Sequence, residues 1–175
     1  VILGIMAIIL ILGSFFVVPA GHKGVIFNTF TGIRDKTYDE GLHFKLPFFE
    51  KSYKFEVRTT VYNDDAAAAS KDLQIVSTRV ALNYHIDKDK VNTLFKNIGP
   101  DYEFRIIDPS IQEVVKAITA KHIAEELITK REIVKEEIKS SLKERLARSY
   151  VILDDLSITN FDFSPEFNHA IEQKV

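Results

Sequence analysis

Hydrophobic positions change their spacing three times along this chain. From Val1 to Val18 no residue is charged, and the first cation is Lys23. Eighteen helical residues rise about 27 Å, close to the roughly 30 Å hydrocarbon core of a bilayer. A signal peptide has a shorter apolar core and small residues before its cleavage site, where this chain has Phe15, Phe16, Val17 and Val18. A core strand runs to about 4–8 residues, so length argues against one. The expectation is a membrane-spanning helix over residues 1–20, with a signal peptide and a buried helix as the alternatives. Lys23 alone flanks the run, so the charge pattern leaves its orientation open.

From Gly24 the apolar period falls to two. Val25-Ile26-Phe27 reads as a strand, residues 28–32 as a turn and residues 41–49 as an extended piece that Pro47 keeps at an edge or in a loop. Residues 53–61 alternate strictly, with Tyr53, Phe55, Val57, Thr59 and Val61 on one face, and make the clearest strand. Residues 63–72 (NDDAAAASKD) read as a loop. A longer strand follows, with Val76, Thr78, Val80, Leu82, Tyr84 and Ile86 sharing a face.

The period then becomes helical. Asp87 or Asp89 is expected to cap a short helix carrying Val91, Leu94, Phe95 and Ile98, ended by Gly99-Pro100. Asp108-Pro109 reads as an N-cap and N1 pair opening a helix with Ile111, Val114, Val115 and Ile118 inward. Thr129-Lys130-Arg131-Glu132 reads as a capping box, opening a helix to Tyr150 with Val134, Ile138, Leu142 and Leu146 on one stripe. A last strand covers residues 151–161. Its apolar phase slips across Asp154-Asp155, which predicts a bulge or bend. Ser164-Pro165 repeats the cap signal and starts a final helix. Strands, then helices, then a strand predict an α+β fold, a small antiparallel sheet covered by helices on one face.

Composition narrows the function classes. The chain has 175 residues, with 23 Lys and Arg against 25 Asp and Glu, a net charge of −2. That balance gives no support for a nucleic-acid partner. Cysteine is absent, which removes disulfides, thiolate chemistry and S-acylation. The chain starts without Met and stops at Glu172-Gln173-Lys174-Val175 within a helical run, so it is expected to be part of a longer protein.

No catalytic constellation emerges, and no cofactor is implied. The sequence has neither a Gly-rich phosphate loop nor HExxH, and His22, His43, His85, His122 and His169 share no ligand spacing. His43 reads as a packed or hydrogen-bonded loop histidine. Asp154 and Asp155 are neighbours on a strand, point to opposite faces and so do not make an acid/base pair. Pro47, Phe48 and Phe49 are candidates for contact with the lipid interface, the alternative being that they cap the core of the sheet. The 129–150 helix reads as packed on its own sheet. A second reading gives its charged face (Lys135, Glu136, Lys139, Lys143 and Glu144) to a neighbouring subunit, with alternating signs setting register.

Several blocks resemble the prohibitins. They are residues 40–44 (EGLHF) followed by Leu46-Pro47-Phe48, residues 70–74 (SKDLQ), Asp101-Tyr102-Glu103, residues 126–131 (ELITKR) and residues 152–167 (ILDDLSITNFDFSPEF). They follow the family order from about Gly21 to Lys174. The wider group is the SPFH or band 7 superfamily, with stomatin and flotillin. The resemblance implies an SPFH domain over residues 21–163, preceded by the span and followed from Ser164 by a coiled-coil helix that continues past Val175. It implies a non-catalytic, single-pass membrane scaffold that assembles into a ring or cage, alone or with a paralogous subunit. It also implies organisation of membrane lipids and restraint of an FtsH-type AAA protease. The membrane would be a bacterial or archaeal plasma membrane or the mitochondrial inner membrane, with the domain on the non-cytoplasmic side. A membrane-tethered adaptor acting as a monomer or dimer is the competing reading.

Overall fold

The computed structural model describes residues 11–159 and 161–164, together with Gly4 and Phe167. The described residues form two compact units, one from residues up to Arg58 plus His85–Tyr102, the other from Thr59–Tyr84 plus the chain from Glu103 onward. Architecture is α+β, but three small sheets stand where one was expected.

In the first unit, β1 (Phe15–Val18) pairs antiparallel with β4 (Gly41–Phe44), while β2 (His22–Asn28) lies between β3 (Gly32–Ile33) and β5 (Glu50–Glu56). Phe16, Val18, Ile26 and Tyr38 pack into one buried cluster. Gly24 makes that packing possible, because a Cβ there would stand 2.8 Å from Val18 Cγ2 and 3.2 Å from the Phe16 ring. Helix α1 (Val91–Asn97) buries Val91 and Leu94, and its Phe95 ring meets Tyr53 at 4.6 Å between centroids. The expected aspartate cap of this helix is absent. The Asp87 carboxylate instead accepts from the N–H of Asp89, leaving Lys90 at the N-cap without a side-chain bond.

In the second unit, β7 (Ile75–Ile86) lies between β6 (Thr60–Ala69) and β8 (Val151–Ile158), and β9 (Asp162–Phe163) pairs antiparallel with β7. The last two residues of β7 belong to the first unit. Helix α2 (Asp108–Thr119) buries Ile111, Val114, Val115 and Ile118 as its spacing predicts. It starts earlier than Asp108-Pro109 suggests, since a π-helical turn over Glu103–Ile107 runs straight into it and puts Ile107 at the N-cap. Side chains of α2 also cover the edge strand β6: Gln112 Nε2 donates to the Asp65 carbonyl at 3.1 Å and Thr119 Oγ1 to the Ala69 carbonyl at 3.3 Å.

Short α3 (Ala124–Thr129) precedes α4 (Arg131–Ala147), whose Val134, Ile138, Leu142 and Leu146 are fully buried. Thr129 is no cap. Its hydroxyl donates to the Glu125 carbonyl at 2.9 Å and closes α3 instead.

Two sequence expectations fail for one reason. The continuous alternation over 53–61 is split at Val57-Arg58-Thr59, so its halves belong to different sheets and different units. The loop expected over 63–72 is strand as far as Ala69, paired residue for residue with Ile75–Ala81 of β7. Alanine and aspartate are poor strand formers, and pairing along a strong partner strand overrides that preference. The phase slip at Asp154-Asp155 is present: both are exposed between buried Leu153 and Leu156.

Candidate membrane-facing surface

The apolar run at the start of the chain does not stay helical to Val18. Ile11–Gly13 are helical, Ser14 turns, and Phe15–Val18 form β1. Residues 1–3 and 5–10 of the expected span lie outside the described residues, and among those described no helix is long and apolar enough to cross a membrane. The correction concerns its last residues, which pair with β4 as a strand. Phe16 and Val18 enter the core, and Phe15 and Val17 point the other way.

That second face is the unusual one. The register pairs Phe15 with Phe44 and Val17 with Leu42, and all four are between 47% and 65% exposed. The Phe15 and Phe44 rings meet edge to face, 6.0 Å between centroids. A two-stranded ribbon with one solvated face normally alternates apolar inward and polar outward. Here both faces are apolar, a composition suited to a medium other than water on the outer side.

The ribbon leads directly into the Pro47-Phe48-Phe49 turn. Ser14 O accepts from the Lys45 N–H at 2.7 Å, and a Cβ on Gly13 would touch the Pro47 ring at 3.3 Å, so the end of the helical segment abuts this turn. Pro47 is half-buried, but Phe48 is 79% exposed and Phe49 about half exposed, so neither aromatic caps the core. Phe48 also sits at φ +69°, a left-handed conformation that a bulky residue rarely adopts. Phe30, 77% exposed at the tip of the β2–β3 turn, stacks obliquely on Phe49 with centroids 5.3 Å apart.

Glu50 holds this conformation. Its side chain is fully buried, and its carboxylate accepts from the Leu46 N–H at 2.8 Å and Asn28 Nδ2 at 3.0 Å while pairing with Arg34. Phe49 O accepts from both the N–H and the hydroxyl of Thr29, at 2.9 and 3.1 Å. A strained residue persists when its surroundings over-determine it, and three partners around one carboxylate and two donors on one carbonyl do so. Glu50, Phe30 and the outward ribbon residues all escaped the sequence reading. The ribbon left no periodic signal, because Phe15–Val18 are all apolar and alternate only in burial.

With this geometry in view, comparison with known families is decisive. Residues 16–175 match the SPFH domain / Band 7 family. The chain belongs to that family. It is 38% identical over 173 residues to prohibitin-7, mitochondrial, of Arabidopsis thaliana, covering 99% of this chain and 62% of that protein. It is 37% identical over 157 residues to prohibitin 1 of Gallus gallus and 36% identical over 157 residues to mitochondrial prohibitin complex protein 1 of Caenorhabditis elegans. Each of those matches covers 90% of this chain, and 58% and 57% of the respective relative. The SPFH chain thus spans about three-fifths of the length of these relatives.

Other residues singled out from the SPFH sequence fall as follows. His43 packs against Phe16 and Tyr38, and its Nε2 lies 2.6 Å from the Asp39 carbonyl, although on β4 and not in a loop. Asp154 accepts from Thr59 Oγ1 at 2.7 Å and Asp155 from Lys139 Nζ at 2.8 Å, so the two carboxylates serve separate partners. Among the described residues no group of His, Asp and Glu is placed to hold a metal ion. His169 and the helix expected after Ser164 lie outside the described residues, apart from Phe167. The Phe167 N–H donates to Ser164 Oγ at 3.3 Å, the bond expected of an N-cap.

Two carboxyls give the domain opposite responses to acid. Burial pushes Glu50 up, but Leu46 N–H, Asn28 and Arg34 outweigh it and hold the group below the ordinary glutamate value. Its stabilisation is therefore present above about pH 4.5 and lost as pH falls through the depressed value. Burial raises Asp64, and the neighbouring Asp108 carboxylate adds to the rise against the Gln112 amide. Its stabilisation is complete below the ordinary aspartate value of 3.8 and is lost as pH rises through the elevated one. Amide protection factors measured on acidification should fall first at Leu46. Equal loss at Leu46 and at the β6–β7 pairing would refute the assignment.

Proposed function

We propose that this SPFH protein is a membrane-anchored scaffold whose first unit lies in the bilayer interface. The observation that carries the reading is the outward ladder of Phe15, Val17, Leu42 and Phe44, continuous with Leu46, Phe48, Phe49 and Phe30. Residues 1–14 remain the proposed anchor. Aromatic side chains at the level of the headgroups then fix the depth of the domain.

The second half of the proposal is assembly. Copies associate side by side into a ring or cage, alone or with a paralogous subunit, enclose a patch of lipid and house or restrain an FtsH-type AAA protease. Support comes from the family and from the Caenorhabditis elegans relative, named as part of a mitochondrial prohibitin complex. The mitochondrial names of the relatives favour an inner-membrane location, with the domain on its non-cytoplasmic side. No reaction is assigned to the chain.

Fluorescence tests the membrane contact cleanly, because the chain has no tryptophan. Phe44→Trp or Phe48→Trp in the full protein, reconstituted into liposomes, should emit to the blue and be quenched by lipids brominated high on the acyl chain. Emission typical of indole in water, without quenching, overturns the proposed surface.

A further inference from the structure

The block over residues 70–74 has no role in the membrane surface, and the structure makes it the tip of the β6–β7 hairpin. Leu73 there is 83% exposed and sits at φ +63°, with Ile75 also exposed. A leucine gains nothing from that conformation by itself, so the surroundings must impose it. Ser70, buried beneath the tip, donates its hydroxyl to Asp72 Oδ1 at 2.6 Å and accepts from the Gln74 N–H at 3.0 Å. The Leu73 N–H donates to the Ser70 carbonyl at 3.0 Å. The Asp72 carboxylate also accepts from the Ala124 N–H at 3.0 Å, and the Lys71 N–H donates to the His122 carbonyl at 2.8 Å. The turn is thus bolted to the start of α3, and what it presents is an apolar knob flanked by exposed Lys71 and, one residue before His122, Lys121.

The same unit carries a surface of opposite character. On the outer face of α4, Ile133 is exposed, and with Glu132, Glu136, Glu137 and Ser140 it lines a shallow groove of about 540 Å³. Helical spacing extends this stripe to Lys143 and Glu144, because i, i+3, i+4 and i+7 share a face. Of the five residues considered for subunit contact, Glu136, Lys143 and Glu144 therefore lie with Ile133. Lys139 is turned aside to Asp155, and Lys135 lies on the same side as Lys139.

We propose that the Leu73–Ile75 knob of one copy seats in the Ile133 groove of the next copy of this chain. This rests on the assembly reading given above and adds the contact that would make it. Charge complementarity chooses a second copy as occupant: Lys71 and Lys121 outnumber Asp72 around the knob, and Glu132, Glu136 and Glu137 line the groove, which favours unlike surfaces meeting over either surface meeting itself. Each copy then offers one knob and one groove. Such a contact is heterologous, and it closes into a ring where the rotation between copies allows.

The test uses the absence of cysteine from the chain. Two differently tagged versions of the full protein, one Leu73→Cys and the other Ile133→Cys, each with any cysteine outside residues 1–175 replaced by serine, are produced together in the membrane and mildly oxidised. A disulfide-linked pair carrying both tags is expected, and a chain with both substitutions should give a ladder running beyond the pair. Both sites are on the surface, so folding should tolerate either change. A two-tag product missing from particles that mass photometry shows to hold many copies overturns this contact and leaves assembly standing. A ladder that stops at the pair overturns the head-to-tail arrangement. Particles of one or two copies overturn the assembly reading itself, and the contact with it.

Discussion

Glu50→Ala should lower the stability of the first unit by about 3–4 kcal/mol and unfasten the Phe48 turn. The carboxylate is 3% exposed as a residue and meets three donors. Removing it leaves the buried Asn28 amide without its acceptor, at about 1–3 kcal/mol, and unpairs the Leu46 N–H, which costs less because Leu46 is partly exposed. Arg34 costs less than a fully buried cation would, because its side chain is 38% exposed and stays in reach of water. It also retains its hydrogen bond to the Tyr38 hydroxyl at 3.0 Å. Chemical denaturation of wild type and variant checks the magnitude. Hydrogen exchange checks the location, since Leu46 and Thr29 amides should lose protection while the β6–β7 ladder keeps it. A variant within 1 kcal/mol of wild type would show that Glu50 does not hold the turn.

Phe15→Asp combined with Phe44→Asp should abolish most membrane binding that does not depend on the anchor. The comparison needs a chain beginning at Ile11, because one beginning at Gly21 would also strip Phe16 and Val18 from the core. Each phenylalanine is about half exposed, so its transfer to lipid is worth roughly half of the 1.5–3 kcal/mol of a fully buried side chain. Two of them amount to about 1.5–3 kcal/mol, and the two carboxylates add a desolvation cost. Partitioning into vesicles should fall by about a hundredfold, since 1.4 kcal/mol is a factor of ten. The inward residues of the ribbon are untouched, so circular dichroism should not change. Equal partitioning of a folded double variant excludes the ribbon as the contact surface.

These two changes act on residues that the sequence reading did not reach, while its nominated turn, Pro47-Phe48-Phe49, lies beside both. Local pattern was enough where one partner dominates. The stripes on α2 and α4, the β7 alternation and the phase slip at Asp154-Asp155 were legible because each repeats the period of its own backbone. The family blocks were legible too, and the match over residues 16–175 bears them out.

What pattern missed had non-local causes. Residues 53–61 alternate without interruption, yet the chain leaves one sheet and enters another at Val57-Arg58-Thr59, and nothing in a period of two marks a change of partner. The poor strand formers of β6 extend because β7 supplies their hydrogen bonds. No local pattern marks Glu50; three groups distant or local in sequence, Asn28, Arg34 and Leu46, make it a buried clamp. The opening run shows the division most clearly. Its composition alone established that residues 1–18 are almost wholly apolar and carry no charge. That the run is split at Ser14, between a helical segment before it and a ribbon with one face in the core and one outside, follows from the pairing of Phe15–Val18 with Gly41–Phe44. Hydrophobicity is a property of each side chain, whereas the face it turns to the core is set by a strand more than twenty residues away.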